Sequence, residues 1–278
     1  MTDIRTWAIL ENGDVEVLSI HALTLDEVSL QLPAGVYTTF RTYERTKVLD
    51  LGAHFKRLEE SAEFLGHPVS LNQEQLRRAI RIVLLGLSKN EYRFRVSVGF
   101  KDDIQQIFVS VELLHLLPKS SYENGVNVVL SDIHRETPKA KSTTFIQQAN
   151  AARSNLRGRL NEALMVDERG IILEGLSSNF FAVRSGVVFT ADEGILEGIT
   201  RSLAIASAKA LQLEVRFSGV HVSDLIHLDE CFITSTSRGV LPVVNVGNIQ
   251  IGNEKPGQIT RAIAEYFKLL IVSKLEEI

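Results

Sequence analysis

The chain has 278 residues, of which 45% are hydrophobic and 23% are charged, a composition typical of a folded globular protein large enough for one or two domains. Its formal net charge of −4 gives no electrostatic basis for binding nucleic acid or an anionic membrane. The single cysteine, Cys231, excludes an internal disulfide and a zinc site built from several thiolates, and we expect it to be buried.

The first residues and the hydropathy of the chain give no sign of export or of membrane insertion. The opening "MTDIRTWAILENGD" carries acids and lacks the basic-then-apolar layout of a signal peptide. No apolar run approaches the ~18 residues of a membrane span. The sequence therefore predicts a cytoplasmic protein.

The first part of the chain mixes strands and helices. "GVYTTFRTYE" (35–44) is rich in strand formers, and "HFKRLEESAEFLG" repeats apolar residues at helical spacing before Gly66, which suits a helix C-terminal cap. "LNQEQLRRAIRIVLLGL" (71–87) predicts a second helix. "YRFRVSVGFKDDIQQIFVSVELL" predicts a hairpin that turns at "FKDD".

The polar, turn-rich segment "LLPKSSYENG" (116–125) predicts a boundary between a small N-terminal domain, 1–118, and a larger domain, 119–278. In the larger domain, tight turns at "DERG" and "RSG" predict antiparallel pairing of its short strands. The predicted elements there are the strand "VNVVLSD", a polar helix over 147–159, the strands "EALMVDE", "GIILEG" and "NFFAVRS", the helix "GITRSLAIASAKALQL", the strand "ECFITSTS" and the helix "PGQITRAIAEYFKLLIVSKL". The prediction is an α+β protein of two domains.

Two lysines stand one residue apart in "TPKAKSTTF" (137–145). Threonine and phenylalanine favour an extended chain, which would place Lys139 and Lys141 on one face. Strand periodicity cannot tell which of the two, if either, is a working amine.

Several common catalytic motifs are absent. There is no G-x-S-x-G elbow, no H-E-x-x-H, no G-x-G-x-x-G and no Walker loop. The seven histidines show no metal-ligand spacing, so no metal site is predicted. The sequence thus points away from hydrolases, metalloenzymes and nucleotide-binding enzymes.

Three features could hold an anion. Gly198 and Thr200 open a predicted helix, whose first turn has unpaired N–H groups and the positive end of the dipole. "ITSTSRG" (233–239) ends a strand in hydroxyl groups, and Arg57 offers a cationic fork suited to phosphate. Taken singly, these could equally be a helix start, an ordinary turn and a surface arginine.

Glu174 stands in the apolar stretch "GIILEGLSSNFF". A carboxylate that points into such surroundings must be partnered or protonated, although alternation leaves open a solvated acid on the opposite face. An amine, an acid and a phosphate cradle together fit pyridoxal 5′-phosphate.

The sequence resembles the class IV, or fold-type IV, pyridoxal-phosphate enzymes, which include branched-chain and D-amino acid aminotransferases and aminodeoxychorismate lyases. Five motifs carry the resemblance in the family's order and extend over most of the chain. They are "HFKRLEESA", the lysine stretch, "LEGLSSNFF", "LEGITR" and "DECFITSTSRGVLPV". The resemblance implies a homodimer of two-domain subunits, with a small N-terminal α/β domain and a larger domain of mostly antiparallel strands.

Site residues follow from the same resemblance. The family's spacing from Asp132 and to Glu174 selects Lys141 as the Schiff-base lysine, and Glu174 matches the acid on the pyridine nitrogen. The implied phosphate site consists of Arg57, Gly198, Ile199, Thr200, Ser235 and Thr236, with Leu196 just before it. Tyr37 matches an aromatic residue that lines the substrate pocket.

Departures from the family leave the substrate open. Thr38 stands where many aminotransferases have a glutamate, and Phe145 and Ile146 replace a tyrosine that bonds the cofactor's phenolic oxygen. "GFKDDIQQ" lacks the Arg-x-His that traps the carboxylate of D-amino acids. Arg41 and Arg238 are possible substitutes for binding a substrate carboxylate, and each could equally be structural.

The resemblance favours an aminotransferase that moves an amino group between an amino acid or amine and a 2-oxo acid. The alternative is aminodeoxychorismate lyase, which forms p-aminobenzoate and pyruvate. A third hypothesis, a cofactor-binding protein without catalysis, is disfavoured because the lysine, the acid and the cradle are all present.

Overall fold

The computed structural model describes residues 4–88, 90–101, 104–154, 156 and 160–278. The chain divides into two compact units. The first consists of Met1–His115, Lys139–Gln147 and Lys274–Ile278, and the second of Leu116–Pro138 and Gln148–Ser273. Each unit combines helices with a sheet, so the predicted α+β class is confirmed.

The elements up to residue 113 are β1 (Arg5–Ile9), β2 (Val15–Leu18), α1 (Leu25–Gln31), β3 (Gly35–Tyr43), β4 (Lys47–Leu49), α2 (Leu51–Phe64), α3 (Gln73–Leu85), β5 (Tyr92–Lys101) and β6 (Ile104–Leu113). Those that follow are α4 (Lys119–Asn124), β7 (Val126–Ser131), α5 (Thr144–Arg153), β8 (Leu160–Val166), β9 (Ile171–Gly175), β10 (Ser178–Arg184), β11 (Val187–Phe189), α6 (Ile199–Ala210), β12 (Val215–Arg216), β13 (Val220–His221), a 3₁₀ helix (Val222–His227), β14 (Glu230–Ser235), β15 (Gly239–Val246), β16 (Ile249–Gln250), α7 (Gln258–Ser273) and β17 (Leu275–Glu277).

The first unit is built on a sheet with the strand order β17-β4-β3-β5-β6-β1-β2, in which neighbouring strands are antiparallel. Alternation along β3 sends Val36 and Phe40 to the hydrophobic core, where they meet Phe55 and Leu58 of α2. The predicted strand, two helices and hairpin strands are confirmed. The predicted hairpin turn includes Asp102 and Asp103, which lie outside the described residues.

The second unit contains a sheet with the order β12-β11-β10-β14-β15-β7-β8-β9-β13, and β16 pairs with β15. Most pairings are antiparallel, as predicted, while β7–β8, β7–β15 and β11–β12 are parallel. Because β9 also pairs with β10, the six strands β10, β14, β15, β7, β8 and β9 close into a ring. Cys231 is buried in the apolar cluster of this unit, as predicted.

Two predictions of local structure are corrected. The helix predicted over 147–159 is α5, which begins at Thr144 because the Ser142 hydroxyl accepts from the Thr144 amide and caps its first turn. Residues 155 and 157–159 of that prediction lie outside the described residues. The lysine stretch is not a continuous strand, because the chain turns at Pro138 and Lys139 before it becomes extended.

Candidate functional site

Lys141 is held against the start of β3 by backbone pairing. Its carbonyl accepts from the Tyr37 amide at 2.9 Å, and its own amide donates to the Ser61 hydroxyl of α2 at 3.1 Å. Ser142 and Val36 form a β-bridge in the same segment. The Lys141 Nζ atom lies 4.8 Å from the centre of the Tyr37 ring, which is 8% exposed. Lys141 is therefore a half-buried amine with a fixed backbone.

Lys139 has different surroundings. It is exposed, and its Nζ atom lies 5.9 Å from the centre of the ring of Phe64, which is itself 52% exposed. The expected side-by-side placement on one face is thus wrong, because the turn at Pro138 gives the two lysines separate environments.

Arg57 and His54 lie one helical turn apart on α2. The Arg57 Nε atom is enclosed and has no hydrogen-bond partner among the described residues, and burial lowers the pKa of this guanidinium to about 10. His54 is buried and shares a 2.7 Å hydrogen bond between its Nδ1 atom and the Thr38 hydroxyl. Burial, followed by the charges of Arg57 and Lys141, holds the pKa of His54 well below 6.5. The first unit therefore gathers Lys141, Tyr37 and Arg57 around a neutral histidine.

Arg41 lies on the same strand as Tyr37 and is already engaged. Its Nη2 atom makes a short ion pair with Glu91, its Nε atom donates to the Thr42 carbonyl at 3.2 Å, and its guanidinium stacks on the Tyr43 ring at 4.5 Å. A substrate carboxylate at Arg41 would have to compete with Glu91.

Glu174, on β9 of the second unit, is 2% exposed, so it is not the solvated acid that alternation left open. Its Oε1 atom accepts from Arg135 Nε at 2.8 Å, and its Oε2 atom accepts from Asn179 Nδ2 at 3.1 Å. Arg135 is also buried, which makes this an ion pair enclosed in protein. A buried carboxylate with two donors is fixed in position.

The residues of the predicted anion cradle lie in the first turn of α6. Gly198 is the N-cap residue and provides no side-chain cap, so the first amides of the helix have no side-chain acceptor from that position. Thr200 is buried and Ile199 half-buried directly after it. Arg201 anchors this turn by donating to the Ala191 carbonyl at 2.7 Å.

The turn between β14 and β15 carries Ser235, Thr236 and Arg238. The Arg238 guanidinium donates to Ser235 Oγ at 2.9 Å, to Asn161 Oδ1 at 2.9 Å and to Glu162 Oε2 at 2.7 Å. Glu162 is buried; burial opposes its ionisation, but Arg238 and Ser177 hold its pKa below the usual value. Arg238 therefore fastens this turn to β8.

The sequence predictions did not include Arg135, Asn179, His54 or Glu162. A lone arginine or asparagine has no periodic signal, and its role emerges only when β9 and β10 bring it to a carboxylate. "LEGLSSN" was already singled out for Glu174, and its asparagine, five residues on, was the one available hint.

Two kinds of feature are absent from the described residues. No helix there combines the length and apolar character needed to cross a membrane. No group of three or more His, Cys, Asp or Glu side chains there could hold a metal ion.

Comparison with known proteins decides the family. The model of the family "Amino-transferase class IV" matches residues 35–246, well over half of the chain. The chain belongs to the class IV aminotransferases. It is therefore an enzyme of the transaminase type, and aminodeoxychorismate lyase is not favoured.

Relatives and solved structures agree with this assignment. A probable branched-chain-amino-acid aminotransferase of Thermotoga maritima is 31% identical over 265 residues, covering 91% of this chain and 94% of the relative. A crystal structure of a putative branched-chain amino acid aminotransferase from Thermotoga maritima has a TM-score of 0.81 at 30% identity, covering 97% and 96%. Another branched-chain amino acid aminotransferase, crystallised with pyridoxamine 5′-phosphate, has a TM-score of 0.81 at 25% identity, covering 98% of each chain. The predicted fold type is confirmed.

Proposed function

We propose that this class IV aminotransferase moves an amino group between a branched-chain amino acid and a 2-oxo acid, with pyridoxal 5′-phosphate as cofactor and Lys141 as the Schiff-base lysine. The observation that carries the proposal is the contrast between the two lysines. Lys141 is bonded to β3 and α2 beside Tyr37, while Lys139 is exposed.

The residues present fit the cofactor. In the first unit, the enclosed Arg57 Nε atom has no partner among the described residues and is suited to donate to a phosphate. In the second unit, the first amides of α6 at Ile199 and Thr200 are suited to the same group, and the family resemblance assigns both to the phosphate. The hydroxyls of Ser235 and Thr236 complete the proposed phosphate site. Glu174, as a buried carboxylate, would hold the proton on the ring nitrogen.

The bound cofactor supplies an electron-accepting ring that stabilises a carbanion at the substrate's α-carbon. Lys141 would hold the cofactor through its Nζ atom, and the same amine would act as the base that removes the substrate's α-proton and returns it. Arg135 donates to the Glu174 carboxylate and holds it in place for its task. Tyr37 shields the amine from solvent on one side.

The names of the relatives support a branched-chain substrate, while Phe145, Ile146 and Thr38 mark departures from the family pattern. Binding of the substrate carboxylate by Arg41 or Arg238 stays a prediction, as do the homodimer and the cytoplasmic location.

The test is reduction of the holoenzyme with borohydride, followed by peptide mass spectrometry. We expect the cofactor on Lys141, and we expect Lys141→Ala to lose transamination of L-leucine while the matched control Lys139→Ala keeps it. Labelling on Lys139, or no cofactor uptake, would refute the proposal. Activity with D-alanine or an R-amine in place of L-leucine would reassign the substrate, and release of p-aminobenzoate from aminodeoxychorismate would restore the lyase.

A further inference from the structure

The Asn179 side chain joins two parts of the second unit that have separate proposed tasks. Asn179 lies on β10 and is 5% exposed. Its Nδ2 atom donates to Glu174 Oε2 at 3.1 Å and to the Leu196 carbonyl at 2.8 Å. Leu196 stands two residues before Gly198, the N-cap of α6. One amide group therefore bonds both the buried acid and the segment that leads into the anion cradle.

The orientation of this amide follows from the chemistry of its partners. A carboxylate oxygen and a carbonyl oxygen both accept hydrogen bonds, and only the NH₂ end of asparagine has two hydrogens for them. The Oδ1 atom must then point the other way. An aspartate here would place an oxygen against each acceptor, so this position requires the NH₂ group of asparagine.

The opposite end of the amide meets α6 directly. A Cβ atom built on Gly198 would lie 2.3 Å from Asn179 Oδ1, closer than two such atoms can approach. The backbone of Gly198 has φ of −69°, which any residue can adopt, so the clash with Asn179 is what demands glycine. Asn179 thus fits against the helix start as well as being bonded to the segment before it.

The position of Asn179 in the sheet also brings it next to Glu174. Asn179 and Glu174 are direct partners in the antiparallel pairing of β10 with β9, the pairing that closes the ring of strands. The Glu174 backbone is therefore fixed in β9, and its carboxylate is oriented by the Asn179 side chain from the neighbouring strand β10.

We propose that Asn179 is a positioning residue that sets the distance between the Glu174 carboxylate and the first turn of α6. At that distance, one ligand can place its ring nitrogen at Glu174 and its phosphate at α6. This inference rests on the proposed function, since it takes pyridoxal 5′-phosphate as that ligand. Asn179 needs no contact with the cofactor. Its effect is to make the ring and phosphate subsites reinforce each other when a single molecule carries both groups.

The test compares pyridoxal 5′-phosphate with pyridoxal, which lacks the phosphate, in titrations of the apoprotein followed by absorbance. The dissociation constant of pyridoxal divided by that of pyridoxal 5′-phosphate measures how much affinity a correctly spaced phosphate adds. We expect Asn179→Ala to lower this ratio by about tenfold or more, the effect of losing a hydrogen bond to a buried charged group. Circular dichroism and thermal unfolding establish that the variant is folded.

The matched control is Thr190→Val, which removes a buried 2.9 Å hydrogen bond to the Phe180 carbonyl on the same strand, away from Glu174. We expect it to change stability and leave the ratio as in the wild type. A merely structural role for Asn179 would give the same result as this control.

A second variant keeps the inference testable if Asn179→Ala does not fold. Gly198→Ala pushes a methyl group against Asn179 and should also lower the ratio, whereas the double variant with Asn179→Ala should be no worse than Asn179→Ala alone. An unchanged ratio in folded Asn179→Ala or in Gly198→Ala would overturn the inference. Failure of the wild type to bind pyridoxal 5′-phosphate would instead refute the proposed function.

Discussion

His54 is bonded to Thr38 inside the first unit and lies near the positive charges of Arg57 and Lys141. Burial and those charges hold its pKa well below 6.5, so the folded chain resists a proton that the unfolded chain accepts. As the pH falls below 6.5, protons bind to the unfolded state first. The free energy of unfolding must then fall with pH until the folded pKa is reached.

We predict that His54→Asn flattens this dependence. Asparagine keeps a hydrogen-bonding atom near the Nδ1 position and cannot be protonated, so the difference in slope between wild type and variant should approach about 1.4 kcal/mol per pH unit. The measurement is urea unfolding between pH 7 and 5. His21→Gln, at an exposed histidine of the same unit, is the control, and equal slopes in wild type and His54→Asn would contradict the prediction.

At the scale of single residues, the sequence predicts site residues where the proposed chemistry demands a particular side chain. A Schiff base needs a lysine, a phosphate needs a cation, and Lys141 and Arg57 stand in motifs that report this. Arg135 and Asn179 act by touching Glu174, and their contacts depend on strand pairing that no local pattern encodes. Such supporting residues are visible only in the fold.

The turn between β14 and β15 illustrates how one ion pair fixes an element. Arg238 bonds the buried Glu162 of β8, and through Ser235 it also bonds its own turn. We predict that Arg238→Met destabilises the protein by about 3–5 kcal/mol, because a buried carboxylate is left without its charge partner.

The double variant Glu162→Gln/Arg238→Met should recover most of that loss, since it removes both charges. Thermal and urea unfolding measure both variants. Arg238→Met as stable as the wild type would show that Arg238 contributes little to holding the turn. A double variant no more stable than the single one would show that the unpaired charge is not the cause of the loss.

At the scale of elements, periodicity and capping predicted the helices and most strands. The errors among the described residues fall between Pro138 and the start of α5 at Thr144. There, the Ser142 cap starts α5 early, and the residues after Lys141 pair with β3 instead of forming a strand of their own. Both effects depend on partners that are distant in sequence or on a cap that the helix pattern does not report.

For the molecule as a whole, the first unit depends on a segment that follows the second unit in the chain. β17 pairs with β4, Glu276 bonds the Leu51 amide at 2.6 Å and Arg77 at 2.9 Å, and Arg81 donates to the Ile278 carbonyl at 2.7 Å. We predict that deleting Lys274–Ile278 destabilises the first unit by at least about 2 kcal/mol, since several charge-assisted hydrogen bonds are lost.

Hydrogen exchange would measure the loss of stability separately for each unit. Amides of β3, β4 and α2 should exchange faster in the deletion variant, while those of β10 and β14 keep their protection. Leu269→Ala, on an exposed position of α7, is the control. Uniform loss of protection in both units would contradict the prediction.

Composition predicts a boundary within 116–125, whereas the return of Lys139–Gln147 and Lys274–Ile278 to the first unit has no local signal. It depends on pairing with β3 and β4, which lie roughly a hundred and two hundred residues earlier, respectively.

The same strand pairing determines the order in which the two units can fold during synthesis. Domains generally fold as they emerge, from the N-terminus onward. The sheet of the first unit cannot be completed until two later segments have been synthesised. These are the segment with Lys141 and then β17, which follows Gln148–Ser273. Until then β4 has an open edge that a neighbouring nascent chain could pair with. The first unit is therefore completed only after the second has been synthesised, and Lys141 reaches its place only after β3 and α2 are already available to receive it.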